Sequence, residues 1–153
     1  MATTARTAPT GKRLSDGFST KIAFAADPDV TFWEISVTPP GWDGGDKIDD
    51  TTMFNTAYRT FAPRKLIEGT DISAVVAYDP KVINEILALI NVNGWITVHF
   101  PNGDTLDFVG YLKSFVPSEL SEGERPTADI TIVVTNRLDT GVETAPVFTD
   151  NST

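Results

Sequence analysis

A tryptophan and four aspartates fall within one short segment that is rich in glycine and proline: Trp42, Asp43, Asp46, Asp49 and Asp50. Carboxylate oxygens are ligands that calcium prefers, so this segment could hold a calcium ion. An aromatic ring beside carboxylates could also bind a sugar. The spacing differs from that of an EF-hand loop, in which acids recur at alternate positions and a glutamate closes the site. A solvated acidic loop explains the same composition better than a calcium site does.

The sequence contains no recognisable set of catalytic residues. The one histidine, His99, lies in a strand-like stretch, and the sequence indicates no partner beside it. The chain has no cysteine, which excludes thiol nucleophiles, disulfides and zinc–thiolate sites. No serine lies in a G-x-S-x-G elbow, and Thr10–Arg13 lacks most of the phosphate-loop pattern. We therefore predict that the protein is not an enzyme and uses no cofactor and no metal.

Length and charge narrow the class of protein. The 153 residues suit a single domain, and 41% of them are hydrophobic, which is enough to form a core. The net charge of −9 disfavours nucleic acid as a ligand, because phosphate binding requires Lys and Arg. No apolar run reaches the roughly 18 residues of a membrane-spanning helix.

The charges are unevenly distributed along the chain. The acidic stretch that ends at Asp50 is followed by a basic cluster formed by Arg59, Arg64 and Lys65. Such an arrangement suits a self-associating protein, in which one patch docks on the other patch of the next copy and the contact closes a ring or extends a filament. The alternative is that these charges only solvate the surface.

Alternating apolar and polar residues predict seven strands, at 18–26, 31–38, 54–63, 71–79, 94–100, 105–116 and 128–136. The Asp-Pro-Asp sequence at 27–29 predicts a tight turn that joins the first two strands in a hairpin. The Pro-Asn-Gly-Asp sequence at 101–104 predicts a second hairpin. Residues 64–70 are predicted to form a turn.

One segment changes from the period of a strand to that of a helix. Apolar residues in 80–90 follow helical spacing at Val82, Ile83, Ile86, Leu87 and Ile90. Asp79 is suited to cap the helix, Pro80 suits its first position, and Asn91–Gly94 supplies a stop.

These elements predict a mainly β fold, an antiparallel β-sandwich or partly open barrel with one flanking α-helix. We expect a β domain over 18–136 with a long loop at 38–55. A flexible N-terminal arm at 1–17 and a C-terminal arm at 137–153, which has no predicted element, flank this domain.

The segment from Val37 to Pro80 resembles the major tail tube proteins of long-tailed, siphovirus-type bacteriophages. It is similar in its acidic, Gly-rich start, its Asp49-Asp50-Thr51-Thr52 sequence, the Asn and Arg that follow, and a strand that ends in Tyr-Asp-Pro. It differs in the turn at 63–69, which is longer and more basic than the short Pro-Gly turn of such proteins.

The resemblance implies a structural virion protein of the phage tail, made in the host cytoplasm. Its copies would form hexameric rings that stack into a tube, strands of different subunits would join into one barrel, and DNA would pass through the lumen without specific binding. The other partners implied are a tape measure protein inside the tube and tail tip and terminator proteins at its ends. The net negative charge agrees with a conduit that repels DNA, and we expect the 18–38 and 94–116 hairpins to line it.

In such a tube, a long hairpin loop commonly reaches the neighbouring ring. We therefore predict contacts between subunits or rings at Trp42, Asp43, Asp46, Asp49, Asp50, Arg59, Arg64 and Lys65. The alternative is a small β-sandwich binding module that holds carbohydrate or calcium through Trp42 and the 43–50 loop.

Overall fold

The computed structural model describes residues 20–27 and 32–151, so the predicted N-terminal arm at 1–17 lies outside the described residues. The described chain forms strands, one 3₁₀ turn and one α-helix. In chain order these are β1 (Lys21–Phe24), β2 (Glu34–Thr38), β3 (Trp42–Asp43), β4 (Ile48–Asp49), β5 (Phe61–Ala62), β6 (Glu68–Gly69), β7 (Ile72–Ala77), the 3₁₀ turn (Pro80–Val82), α1 (Ile83–Leu89), β8 (Gly94–His99), β9 (Thr105–Pro117), β10 (Thr127–Val134) and β11 (Val147–Thr149).

Most strands belong to one antiparallel sheet. Its order is β1-β8-β9-β10-β7-β2, and β11 lies beside the first residues of β9. The two edge strands β1 and β2 contact each other, and the Ile22 N–H donates a hydrogen bond of 3.0 Å to Oε1 of Glu34. The sheet is therefore curved into a partly open barrel, which confirms the predicted mainly β class.

The interior of this barrel is apolar. Large side chains with almost no exposed surface come from several strands and from the helix, and they include Ile72, Ile86, Ile96, Phe108 and Ile130. The alternation predicted for residues 71–79 is confirmed, because Ile72, Ala74 and Val76 all face this core.

The predicted hairpin between the first two strands is wrong. β1 pairs with β8, whereas β2 pairs with β7 at the other end of the sheet order. Ile22 and Phe24 of β1 are buried in the core where β1 pairs with β8. The burial of these two side chains therefore decides the partner of β1, although the chain connection from β1 to β2 is short. Most of the predicted 27–30 turn lies outside the described residues.

The alternation predicted for the second strand also fails. The register of β2 against β7 shifts between Glu34 and Ser36, which leaves Ile35 as an extra residue in a β-bulge. Trp33 is 77% exposed, and Ile35 is exposed as well. The apolar side chains of Trp33 and Ile35 therefore point to solvent within the subunit.

The hairpin of β8 and β9 is confirmed, with Trp95 opposite Val109 and His99 opposite Thr105. The register of β9 against β10 shifts at Thr131/Ile132, and this bulge turns Phe115 towards the core although strict alternation would point it outwards.

The predicted helix is also confirmed. Its first turn is 3₁₀, and the Asp79 carboxylate accepts a hydrogen bond from the Lys81 N–H. Asn91 has a φ of 65°, a left-handed conformation that ends a helix. Ile86 and Leu89 are buried against the sheet, but Leu87 of the predicted stripe is 60% exposed.

The C-terminal residues contain an element that the sequence did not predict. β11 pairs antiparallel with β9, with Val147 opposite Asp107 and Thr149 opposite Thr105. In the part of the chain that the structure describes, no helix is long and apolar enough to cross a membrane.

Candidate assembly interface

Between β2 and β7 the chain forms a two-stranded hairpin, residues 41–70, which we call the arm. β3 pairs with β6 at its base and β4 pairs with β5 further out, and none of these strands joins the main sheet. The predicted loop at 38–55 is thus the first half of the arm. The strand predicted at 54–63 shortens to Phe61–Ala62, and the turn predicted at 64–70 contains β6.

The base of the arm is closed by hydrogen bonds between its two strands, and it packs beside the end of β10. Gly41 and Thr70 exchange two hydrogen bonds, from the Thr70 N–H to the Gly41 carbonyl and from the Gly41 N–H to the Thr70 hydroxyl, both 2.8 Å long. A Cβ atom on Gly69 would lie 2.8 Å from the Trp42 ring and 2.7 Å from Val134. The indole is therefore pressed onto the Gly69 backbone beside the end of β10, and only a glycine permits this contact.

The tip of the arm, residues 51–60, is held in shape by its own polar groups. The amide side chain of Asn55 accepts a hydrogen bond from the Thr52 N–H at 2.9 Å and donates one to the Tyr58 carbonyl at 3.0 Å. Thr51 accepts a further bond from the Thr60 N–H through its hydroxyl. The tip is therefore a preorganised turn rather than an unstructured loop.

The charges of the arm contact each other across the hairpin. Arg59 forms an ion pair with Asp49 at 3.3 Å, and the Arg64 guanidinium donates to the Asp46 carbonyl at 2.8 Å. The Lys47 ammonium lies 3.7 Å from the centre of the Phe61 ring, a cation–π contact.

One carboxylate on the arm is clearly perturbed. Hydrogen bonds from the side chain and backbone of Thr51, together with the Arg59 contact, hold the pKa of Asp49 below its ordinary value. Asp49 is therefore ionised across the neutral range and fixes the start of the tip.

All eight residues predicted as contacts lie on the arm. Trp42 and Asp43 are at its base, Asp46, Asp49 and Asp50 are on the outgoing side, and Arg59, Arg64 and Lys65 are on the returning side. Asp43 accepts a hydrogen bond from the Gly45 N–H. Among the described residues, no group of three or more acidic or histidine side chains is arranged to hold a metal.

The prediction missed the residues that are most exposed. Met53 is 100% exposed, Phe54 95%, Tyr58 84% and Leu66 82%. Periodicity did not indicate their exposure, because Phe54, Ala57, Tyr58 and Phe61 follow the i, i+3, i+4, i+7 spacing that is typical of a buried helix face. A cluster of exposed apolar side chains on a projecting element is typical of a surface that another molecule covers.

Comparison with known proteins gives matches in fold and none in sequence. No protein-family model matches the chain, and no curated protein matches it. A chain described as part of the virion of a native gene transfer agent particle is similar, with a TM-score of 0.62 and 12% identity. The match covers 90% of this chain and 100% of that chain.

Two further structures are similar. A chain from the tail of an empty gene transfer agent particle, refined helically with C6 symmetry, has a TM-score of 0.60 and 11% identity over 90% of this chain and 100% of its own. A chain from the six-fold symmetrised baseplate of the anti-feeding prophage has a TM-score of 0.58 and 8% identity over 83% of this chain and 94% of its own. The chain therefore has the tail-tube-like, mainly β fold that occurs in phage-tail-like particles.

Proposed function

We propose that this protein is the subunit of a phage-type tail tube, a structural protein without catalytic activity that stacks as hexameric rings. The observation that carries the proposal is the match, over nearly its whole length, to a chain of a helical tail with C6 symmetry. The predicted virion location, the passage of DNA through the lumen and the tape measure, tail tip and terminator partners belong to the same proposal.

The arm supports this role independently. Its strands stay apart from the main sheet, its tip is preorganised, and Met53, Phe54 and Tyr58 at the tip are largely exposed. Because a soluble monomer gains nothing from exposing Met53 and Phe54, the arm is better explained as a contact with another copy.

The edge strands support assembly as well. Among the described residues, β1 and β2 contact each other without forming a strand pair, and Trp33 and Ile35 expose apolar surface at the β2 edge. Unpaired edges are an aggregation hazard that natural proteins cover, and neighbouring subunits of a ring can pair them. The net charge of −9 suits a wall that DNA slides past.

The predicted contact residues take different parts in this proposal. Since Asp49 and Arg59 already pair within one arm, their charges contribute mainly to the shape of the tip. Docking between copies then depends on the apolar tip, with Asp50 at its margin and Asp43, Asp46, Arg64 and Lys65 closer to the base of the arm. Trp42, at the base, packs on Gly69 beside Val134 of the barrel, with part of the indole still exposed.

Shortening the arm tests this function directly. Residues 44–67 are replaced by Asn-Gly, a two-residue turn that closes a hairpin between Asp43 and Glu68, which already pair. We expect a folded protein with an unchanged core that forms no tubes under conditions in which the full chain does. Light scattering and negative-stain microscopy measure assembly, and circular dichroism measures folding.

The matched control keeps the arm and changes another loop of the same subunit. Glu122→Asn alters one residue of the acidic 118–126 segment, and tubes should still form with only their salt dependence altered. Tubes of normal length from the shortened-arm variant would refute the role of the arm.

A further inference from the structure

The helix leaves an apolar groove open beside the sheet. A cavity of about 180 Å³ lies between α1 and the end of β9, and its walls are formed by Tyr78, Ile83, Ile86, Leu87, Phe115 and Pro117. An apolar cavity of about 150 Å³ is large enough to bind benzene. The groove therefore has room for one phenyl ring, and the exposed Leu87 forms part of its rim.

The groove and the arm lie at opposite ends of the same strands. The base of the arm packs at Val134, the last residue of β10, whereas Pro117 of the groove is opposite Ala128, near the start of β10. Ala128 and Val134 are six residues apart along β10, which corresponds to roughly 20 Å at about 3.3 Å per residue. Phe54 is 95% exposed, so the arm does not fill the groove of its own subunit.

The charges around the two surfaces are complementary. On the helical segment and in the segment that follows Pro117, the exposed acids Glu85, Glu119, Glu122 and Glu124 outnumber the exposed bases Lys81 and Arg125. The returning side of the arm carries Arg64 and Lys65, beside the exposed Leu66 and Ile67, whereas Arg59 is already paired with Asp49. If the basic returning side of the arm lies across this acidic rim, the two are attracted to each other, and the attraction weakens with salt.

We propose that the groove receives the arm tip of a second copy of this chain, with Phe54 as the ring that enters it. This inference rests on the proposed tube function and adds the receiving site. Because the inserting and receiving surfaces differ and lie at opposite ends of the subunit, the contact is heterologous and repeats from copy to copy. It therefore extends a column of subunits rather than closing a dimer.

Cysteine cross-linking tests the contact in the full chain, which has no native cysteine. A Met53→Cys/Leu87→Cys variant keeps Phe54 and the floor of the groove. It is assembled under reducing conditions and then oxidised, and a denaturing gel should show a ladder of covalent multimers. Each single variant should give at most dimers, and Met53→Cys/Phe148→Cys, whose second site is equally exposed in β11, should give no ladder.

A second measurement does not depend on disulfide geometry. Phe54→Ala should raise the critical concentration for assembly about tenfold or more, because a buried phenylalanine is lost from each contact. Phe148→Ala removes the same side chain from a 58% exposed position off the arm and should leave the critical concentration unchanged.

The outcomes separate this inference from the proposed function. If the unmodified chain forms no tubes, the proposed function fails. A second outcome is that tubes form while the Met53→Cys/Leu87→Cys variant gives no ladder and Phe54→Ala assembles like Phe148→Ala. In that case the groove is not the receiving site, and the proposed tube function is unaffected. A cross-link from Leu87→Cys to Leu14→Cys within one chain would assign the groove to the N-terminal segment instead, and would also overturn the inference.

Discussion

Gly110 gives the sharpest test of the packing between β9 and β10. A Cβ atom at this position would lie 2.3 Å from the Val133 carbonyl oxygen, whereas real Cβ atoms essentially never approach within 3.0 Å. A Gly110→Ala variant must therefore separate the two strands by about 0.7 Å. Inserting a methyl group into a packed core costs about 1–3 kcal/mol of folding stability. Because the obstacle here is a backbone carbonyl, which cannot rotate away as a side chain can, we expect a loss of about 3 kcal/mol.

The expected loss is large enough to measure by thermal unfolding. For a domain of about 150 residues, 1 kcal/mol corresponds to roughly 2–4 °C, so Gly110→Ala should lower Tm by roughly 6–12 °C. Gly94 is opposite Gly110 in the β8–β9 ladder and has no heavy atom within 4 Å of its added Cβ. Gly94→Ala should change stability by less than about 0.5 kcal/mol. If the two variants unfold at the same temperature, the assigned approach of β9 and β10 is incorrect.

Two further predictions concern the arm. Gly69→Ala should displace the Trp42 ring, which would lie 2.8 Å from the added Cβ, and tryptophan fluorescence should shift to longer wavelength; Gly44→Ala, with nothing within 4 Å, should leave the spectrum unchanged. The pKa of Asp49 is lowered from 3.8, so its stabilisation of the tip is fully present above that value and is lost as pH falls through the folded pKa. The protection of the Thr51 amide, measured by NMR hydrogen exchange, should therefore fall at such acidic pH in the native chain and show no such step in Asp49→Asn.

Local patterns predicted the elements whose partners are close in sequence. The helix was identified because Asp79 and Pro80 start it and apolar residues recur at helical spacing. The β8–β9 hairpin was identified from its Pro-Asn-Gly-Asp turn. In both cases the hydrogen bonds join residues near in sequence, so the local signals and the final contacts agree.

Elements that depend on distant partners were missed. β1 pairs with β8, which is more than seventy residues away, and no local pattern in residues 21–24 indicates this pairing. β11 has only three residues and exists because β9 extends beyond the end of β10 and offers it an edge. The bulge at Ile35 likewise depends on the register with β7, so its exposed side chain could not be predicted from alternation.

The sequence predicted an assembly interface on the arm from its charges, and the structure adds the exposed apolar tip as a further candidate. The unusual composition of 38–55 marked the arm, and charge asymmetry suggested docking between acidic and basic patches. The Asp49–Arg59 pair and the Arg64 contact to the Asp46 carbonyl show that part of this charge is used inside one arm. Met53 and Phe54 became candidates only when their exposure was known, because composition does not distinguish an exposed phenylalanine from a buried one.

Cryo-electron microscopy of the purified, concentrated full chain tests the central claim most directly. The account predicts helical tubes with six copies per ring, each copy inserting its arm tip beside the α1 helix of a copy in the adjacent ring. An end state of two-fold symmetric dimers with the arms packed against each other would contradict it, because such a closed contact cannot extend a tube.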